Sequence, residues 1–309
     1  MKLLVTYNIP RTPFQELPAD WEITFPEKEI MSKEEIIRLL PEYDVMLAIF
    51  HAPIDREILD AGKKLKLISN YGVGYNNIDI EYARKKGIAV TNTPKSVNNP
   101  TAELALSLML SAARRVAECN LKIRTEKENM WGTMHNLGIG LENKTLGIIG
   151  MGNIGKNVAL KAKAFGMQII YYNDRTEVPG YRRVNLETLL KESDFISLHT
   201  PLTPQTRHLI GEHELSLMKP TTILINTARG AIIDEKALAK ALTQRRITGA
   251  ALDVFEDEPH ITETLYGLNN VILTPHIGTG TIDARIAMGQ EALDNIHHFL
   301  QGTPVNVVN

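Results

Sequence analysis

Thr145-Leu146-Gly147-Ile148-Ile149-Gly150-Met151-Gly152-Asn153-Ile154-Gly155 decides the fold. An apolar run, Thr145–Gly150, opens into a Gly-x-Gly-x-x-Gly turn, and the amphipathic stretch Ile154–Phe165 follows. Each glycine answers a separate physical demand. Gly150 allows a tight turn, Gly152 lets the backbone approach a pyrophosphate, and Gly155 lets the helix pack closely on the strand. The helix starting near Asn153 aims unpaired N–H groups at that anion. Such a turn alone is weak, because a plain βα turn carries the same letters. The strand before it, the helix after it and the further strand Gln168–Asn173 together read as a dinucleotide-binding unit.

The residue that meets the ribose is expected roughly 20 positions further on. The second strand ends there, in Tyr171-Tyr172-Asn173-Asp174-Arg175-Thr176. Asp174 would accept from ribose hydroxyls and repel a 2′-phosphate, favouring NAD. Arg175 would pair with a 2′-phosphate and favour NADP. Both chemistries stand side by side with Asn173, and the choice stays open.

Outward from this unit, short apolar runs alternate with helical patterns along the whole chain. Strands are expected at Lys2–Tyr7, Val45–Phe50, Leu65–Asn70 and Ile88–Asn92, then at Phe195–His199, Thr222–Thr227, Gly249–Phe255 and Val271–Thr274. Continuous apolar runs suit parallel strands buried on both faces. Helices are expected at Glu34–Leu40, Glu235–Thr243 and Ile282–Leu300. The alternation predicts an open, doubly wound α/β fold, and about ten strands predict two sheets. The cluster Asn98-Asn99-Pro100 is the best boundary. A long helix follows it, capped by Thr101 or the residues just before and running beyond Arg114. Glu128–Asn143 reads as a loop.

The 309 residues suit two domains of about 150 each. Hydrophobic residues at 43% and charged residues at 23% exclude a disordered or collagen-like chain. Lys and Arg number 34 against 36 Asp and Glu, so no global basic field recruits nucleic acid. Cys119, the single cysteine, forms no internal disulfide or thiolate metal cage and suits a reducing compartment. The most apolar stretch, Leu104–Ala113, falls well short of the roughly 20 residues a membrane span needs. The first residues reach Thr6 and Pro10 too early for a secretion signal. A soluble, cytoplasmic protein with no nucleic-acid and no membrane partner is expected.

Ligands of open α/β sheets bind beyond the carboxyl ends of the strands. Three successive strand ends there deliver Arg229, then Asp253 with Glu258 just past it, then His276. Each has a bland alternative: a surface ion pair for Arg229, a solvated acidic turn for Glu258, a satisfied loop histidine for His276. Their joint placement beside a nucleotide site points to carbonyl reduction. Arginine binds a carboxylate bidentately, histidine donates a proton near neutral pH, and a nearby glutamate holds the imidazole charged. Upstream, Gly72-Val73-Gly74 reads either as a small-anion turn or as an ordinary tight turn. Ile49, Phe50 and His51 stand where a pocket wall would be, and His51 equally suits a turn cap.

These motifs resemble the D-isomer-specific 2-hydroxyacid dehydrogenase family over nearly the whole chain. The carriers are Asn70-Tyr71-Gly72-Val73-Gly74-Tyr75-Asn76-Asn77-Ile78-Asp79, the Gly150–Gly155 turn and Leu198-His199-Thr200-Pro201-Leu202-Thr203. Three more are Ile225-Asn226-Thr227-Ala228-Arg229-Gly230, Asp253-Val254-Phe255-Glu256-Asp257-Glu258-Pro259 and Thr274-Pro275-His276-Ile277-Gly278. The resemblance implies a Rossmann cofactor domain, 99–283, inserted into a smaller flavodoxin-like substrate domain of 1–98 plus 284–309 that closes over it. It implies Arg229, Glu258 and His276 as catalytic residues, with Val73 and Gly74 joining Arg229 and His276 around the substrate. Thr101, Gly150, Gly152, Asn153, Ile154, Gly155, Thr200, Pro201, Thr206, Thr227, Ala228, Asp253 and Gly278 would hold NAD or NADP. The substrate would be a small anionic 2-oxo or 2-hydroxy acid, with similarity favouring glyoxylate or hydroxypyruvate, and the assembly a homodimer.

The pattern departs from the family where Asn173 takes the usual ribose-binding Asp position. Soon after the last helix the sequence ends at Asn309, so no regulatory tail is expected. Corepressors that share this fold keep the same Arg, Glu and His, which makes a dinucleotide-sensing interaction protein the rival reading. Tyr82-Ala83-Arg84-Lys85-Lys86 matches the YxxxK spacing of short-chain dehydrogenases but precedes the glycine turn, and reads as a solvated helix face. Formate dehydrogenases place Gln at the Glu258 position, which disfavours formate.

Overall fold

The computed structural model describes residues 1–49, 52–127, 131–173 and 177–309. Phe50, His51, Asp174 and Arg175 lie outside the described residues, as does the start of the expected 128–143 loop. The chain divides into two compact units, Met1–Val97 with Thr279–Asn309, and Asn98–Gly278. The second crossing falls at Thr279 rather than near 284. Thr281 caps the Ile282–Leu300 helix by accepting from the Ala284 N–H at 3.2 Å, so cap and helix belong to one body.

The first unit holds β1 (Lys2–Val5), β2 (Glu22–Thr24), β3 (Val45–Ala48), β4 (Leu67–Asn70) and β5 (Ala89–Thr91), all parallel in the order β2-β1-β3-β4-β5. Every residue of β3 and β4 is buried, as two covered faces require. The sequence reading missed β2, a three-residue edge strand with no fully buried side chain and hence no apolar signature. The Ile282–Leu300 helix packs on β4, where the Ser69 hydroxyl donates to the Ala292 carbonyl at 3.0 Å. Beyond it the chain covers the free edge of β5. Val308 N–H donates to Val90 O, while the Asn309 side chain accepts from Val90 N–H and donates to Ile88 O, both at 2.8 Å. Tyr82 and Lys86 both bond Asp60, at 2.9 and 2.6 Å, on a solvated face. The YxxxK spacing is a surface cluster here.

The second unit holds β6 (Thr145–Ile149), β7 (Gln168–Tyr172), β8 (Arg182–Arg183), β9 (Phe195–Leu198), β10 (Ile223–Asn226), β11 (Gly249–Leu252) and β12 (Val271–Leu273). All are parallel, in the order β12-β11-β10-β9-β6-β7-β8. The chain winds outward from β6 through β8, then crosses back to β9 and winds the other way. The reversal between β6 and β9 is the switch point where such sheets bind nucleotides. The two exposed residues of β8 gave no signal in sequence.

The long helix corrects the expectation at both ends. It spans Asn98–Ala113, so Thr101 lies buried in its first turn rather than capping it. Pro100 is tolerated there because first-turn N–H groups have no helical partner. The helix stops before Arg114: Arg115 adopts a left-handed φ of 55°, and a second helix, Val116–Glu126, follows.

Candidate active site

The glycine turn is built as the three demands require. Gly150 has φ 97°, and a Cβ there would lie 2.6 Å from the His199 carbonyl oxygen. A Cβ on Gly155 would meet Gly150 O at 2.3 Å, so helix and strand touch through glycine. Nothing stands within 4 Å of a Cβ on Gly152, which leaves the turn open outward. No side chain caps the Asn153–Ala164 helix. The helix therefore opens at Asn153 and Ile154 without a capping side chain among the described residues, the arrangement an anion-binding helix start uses. Behind the turn, Gly150 N–H donates to Tyr172 O at 3.0 Å and Met151 N–H donates to Asn173 Oδ1 at 2.6 Å.

Loop 199–206 follows β9. Thr206 donates its hydroxyl to Pro201 O at 2.7 Å and accepts from Thr203 N–H at 2.8 Å, so that hydroxyl shapes its own loop. Thr200 N packs against Gly150. The His199 Nε2 lies 2.8 Å from Ser197 Oγ, while Nδ1 is buried without a partner among the described residues. Burial pushes this imidazole down to about 3, which keeps it neutral.

Strand β10 ends in Thr227-Ala228-Arg229-Gly230. Asn226 shapes the exit: its Oδ1 accepts from Ala228 N–H at 3.0 Å and its Nδ2 donates to Arg229 O at 2.9 Å. The Arg229 guanidinium donates to Ala228 O at 2.6 Å. Burial draws its pKa down and the Glu258 charge opposes this; an arginine stays charged regardless. A Cβ on Gly230 would lie 1.8 Å from the Phe255 carbonyl carbon. Only glycine lets the β10 exit approach the β11 exit this closely.

Asp253, fully buried at the end of β11, ties these exits together. Its Oδ1 accepts from Thr274 Oγ1 at 2.7 Å and from Ile277 N–H at 2.8 Å, and its carbonyl accepts from His276 N–H at 2.9 Å. Burial pushes its pKa up, against the Thr274 and Ile277 hydrogen bonds. Asp253 Oδ2 and Thr227 Oγ1 are buried with no hydrogen-bond partner among the described residues. A Cβ on Gly278 would sit 3.4 Å from that Oδ2 and 3.5 Å from Thr101 Oγ1, so Thr101, Asp253 and Gly278 gather at one place. Two partnerless oxygens at strand ends of the sheet that carries the glycine turn fit a dinucleotide whose carboxamide brings N–H donors.

His276 follows with φ 53°, and its Nδ1 lies 2.8 Å from Glu258 Oε2. Glu258 Oε1 accepts from Phe255 N–H at 3.0 Å. Burial works to raise the Glu258 pKa. The hydrogen bond and charge of His276, the Phe255 amide and the Arg229 charge outweigh it and hold the carboxyl below its ordinary range. An ionised glutamate thus grips one imidazole nitrogen and feels the guanidinium.

In the first unit, loop 72–74 has its carbonyls tied back. Asn70 Nδ2 donates to Gly72 O and Gly74 O, and Asn92 Nδ2 donates to Val73 O, each at 2.9 Å. Neither the Val73 nor the Gly74 N–H is taken up by a hydrogen bond among the described residues. The sequence reading missed Asn70 and Asn92 as supports, because a side-chain-to-carbonyl bond leaves no spacing pattern. Ile49 is 4% exposed, and its carbonyl accepts from Asn77 Nδ2 at 3.2 Å.

A glycine turn open to a pyrophosphate, at the switch point of a parallel sheet and beside an Arg–Glu–His set, defines a dinucleotide-dependent dehydrogenase. The chain belongs to the D-isomer-specific 2-hydroxyacid dehydrogenase family. Residues 106–278 match the family described as D-isomer specific 2-hydroxyacid dehydrogenase, NAD binding domain. A glyoxylate reductase of Thermococcus litoralis is 46% identical, covering 100% of this chain and 96% of that protein. The crystal structure of a glyoxylate reductase from Paecilomyes thermophila superposes with a TM-score of 0.90 at 36% identity, covering 100% of this chain and 98% of that one. An NADPH-dependent glyoxylate/hydroxypyruvate reductase from Sinorhizobium meliloti, in complex with NADP and malonate, gives 0.86 at 29% identity, covering 99% and 96%. The protein is therefore an oxidoreductase of CH–OH donors that uses NAD or NADP.

Proposed function

We propose that the protein reduces glyoxylate and hydroxypyruvate to the corresponding 2-hydroxy acids. Arg229 binds the substrate carboxylate and polarises the carbonyl oxygen. His276, held through Nδ1 by Glu258, delivers a proton to that oxygen as it becomes an alkoxide. Glu258 keeps the imidazole oriented through that contact. The nicotinamide, when bound, supplies the hydride that the carbonyl carbon gains. Asp253 and Thr227 would accept from the carboxamide, Asn153 and Ile154 would donate to the pyrophosphate, and the Val73 and Gly74 amides would bind anionic oxygen. The 2.8 Å Glu258–His276 contact carries this reading; full-length similarity to glyoxylate reductases supports the substrate choice.

The test is a panel of 2-oxo acids, each assayed with NADH and with NADPH. Turnover highest with glyoxylate and hydroxypyruvate is expected. Tight cofactor binding without turnover on any acid would favour a dinucleotide-sensing interaction protein instead.

We also propose a homodimer, through the second unit. The Val116–Glu126 helix has no buried residue and exposes Val116, Leu121 and Ile123, and Trp131, Met134 and Leu137 are exposed just beyond it. So much apolar surface in one stretch suits a self-complementary contact. No helix among the described residues is long and apolar enough to cross a membrane. A cytoplasmic setting fits this and the free thiol of Cys119.

A further inference from the structure

Glu235 belongs to no motif quoted above. It opens the Glu235–Thr243 helix and is 6% exposed. A carboxylate at a helix start ordinarily serves its own helix, but Asp234 does that here, its Oδ1 accepting from Ala237 N–H at 3.0 Å. The Glu235 side chain turns instead to the chain beyond β11. Its Oε2 accepts from Glu256 N–H at 2.9 Å and its Oε1 from Thr262 N–H at 2.8 Å. Glu258 lies between those two anchors.

The neighbouring Glu256 carboxylate has partners of its own. Glu256 Oε1 meets Arg207 at 2.9 Å and His208 at 2.6 Å. The Asp257 backbone carbonyl accepts from His260 N–H at 2.8 Å, which closes a turn just past Glu258. Glu258 is left facing His276 and Arg229. The anchor also shares a short segment with Arg229: a single turn, Gly230–Ile232, separates the two, and Gly230 presses on the Phe255–Glu256 backbone. One stretch of chain thus carries the guanidinium and grips the loop that carries the glutamate.

We infer that Glu235 is a positioning residue for the Glu258–His276 pair, pinning residues 256–262 at both ends so that Glu258 meets the imidazole at hydrogen-bond distance. This rests on the acid–base reading proposed above. The geometry calls for a carboxylate, because two converging N–H donors need two acceptor oxygens. Glutamine supplies one and sets an NH2 against the other amide.

The experiment compares Glu235→Gln, Glu258→Gln and the double variant with the parent. It uses glyoxylate with saturating reduced cofactor and reads kcat/KM across pH, cofactor affinity by NAD(P)H fluorescence, and Tm. Glu235→Gln is expected to lower kcat/KM about 10- to 100-fold with unchanged cofactor affinity. The acidic limb of its profile moves to higher pH, as Glu258 loses part of the contact that favours its ionised form. In the Glu258→Gln background the same change adds no further loss, since both act through one group. A lower Tm with the parent's kcat/KM profile, or losses that multiply in the double variant, overturns the inference. If Glu258→Gln itself keeps parental turnover, the acid–base reading falls and the inference with it. A loss in Glu258→Gln without one in Glu235→Gln removes the positioning alone. If Glu235→Gln yields no soluble protein, Glu235→Asp keeps the charge and shortens the reach, and the same limb shift is required of it.

Discussion

Asn173 Oδ1 accepts the Met151 N–H at 2.6 Å, tying the end of β7 to the glycine turn. The side chain at this strand end thus holds the glycine turn in place. Asn173→Ala leaves that N–H unmatched and should cost about 1–3 kcal/mol of stability, read as a lower Tm. It should weaken NADH and NADPH binding alike. Asn173→Asp keeps the acceptor and adds a negative charge, so the kcat/KM ratio should move toward NADH. A ratio unchanged by the added charge would remove this residue from cofactor choice.

His276→Gln keeps a polar side chain but loses the proton donor. Turnover should fall by about 10²–10⁴-fold while cofactor affinity, measured by NAD(P)H fluorescence, stays within twofold. Parental turnover in this variant would mean that another group supplies the proton.

Arg229→Lys keeps the charge and loses the planar fork, so the substitution is not conservative at a carboxylate-binding position. The expected result is a raised KM for glyoxylate together with a lowered kcat. Arg229→Ala should lose more of both. Steady-state kinetics that move neither parameter would exclude the assigned role.

His199 gives a pH prediction whose sign follows from burial. Its folded pKa lies at about 3, below the ordinary 6.5. The unfolded chain takes up a proton near pH 6.5 and the folded one only near pH 3. Stability tied to neutral His199 is complete above pH 6.5 and declines as pH falls toward 3, by at most about 1.4 kcal/mol per pH unit. His199→Gln cannot titrate. Its Tm should fall less than the parent's between pH 6.5 and 4, and parallel Tm curves would refute the assignment.

Leu121→Glu with Ile123→Glu places two charges on the exposed face of the Val116–Glu126 helix. Size-exclusion chromatography with light scattering should show the parent as a dimer and the double variant as a monomer. A parent that runs as a monomer at micromolar concentration ends the homodimer proposal.

What could be read in the sequence follows from the range of each interaction. The glycine turn and the three strand-end motifs rest on local backbone demands, which specific residue types announce. Apolar runs marked the buried strands for the same reason. Strands β2 and β8 sit at sheet edges with no buried side chain, so no hydrophobic pattern exists for them. The helix break at Arg115 needs a left-handed backbone, a conformation that arginine does not advertise. Glu235 and Asn92 act through bonds to backbone groups 19 to 27 residues away, and Asn70 bonds the carbonyls of its own loop. Such bonds have neither period nor spacing, and only the folded chain reveals them.

Ser69 and Ala292 meet across 223 residues of sequence. That contact sets an order for synthesis on the ribosome. Residues 98–278 form a continuous body and can finish folding while the final helix is still being made. The first unit cannot. Until residues 279–309 emerge, the face of β4 that the last helix covers stays bare, along with Tyr71, whose hydroxyl donates to the Arg285 carbonyl in the finished protein. The earliest part of the chain to be translated is therefore the last to be completed, and its uncovered sheet is the surface a chaperone would meet during that interval.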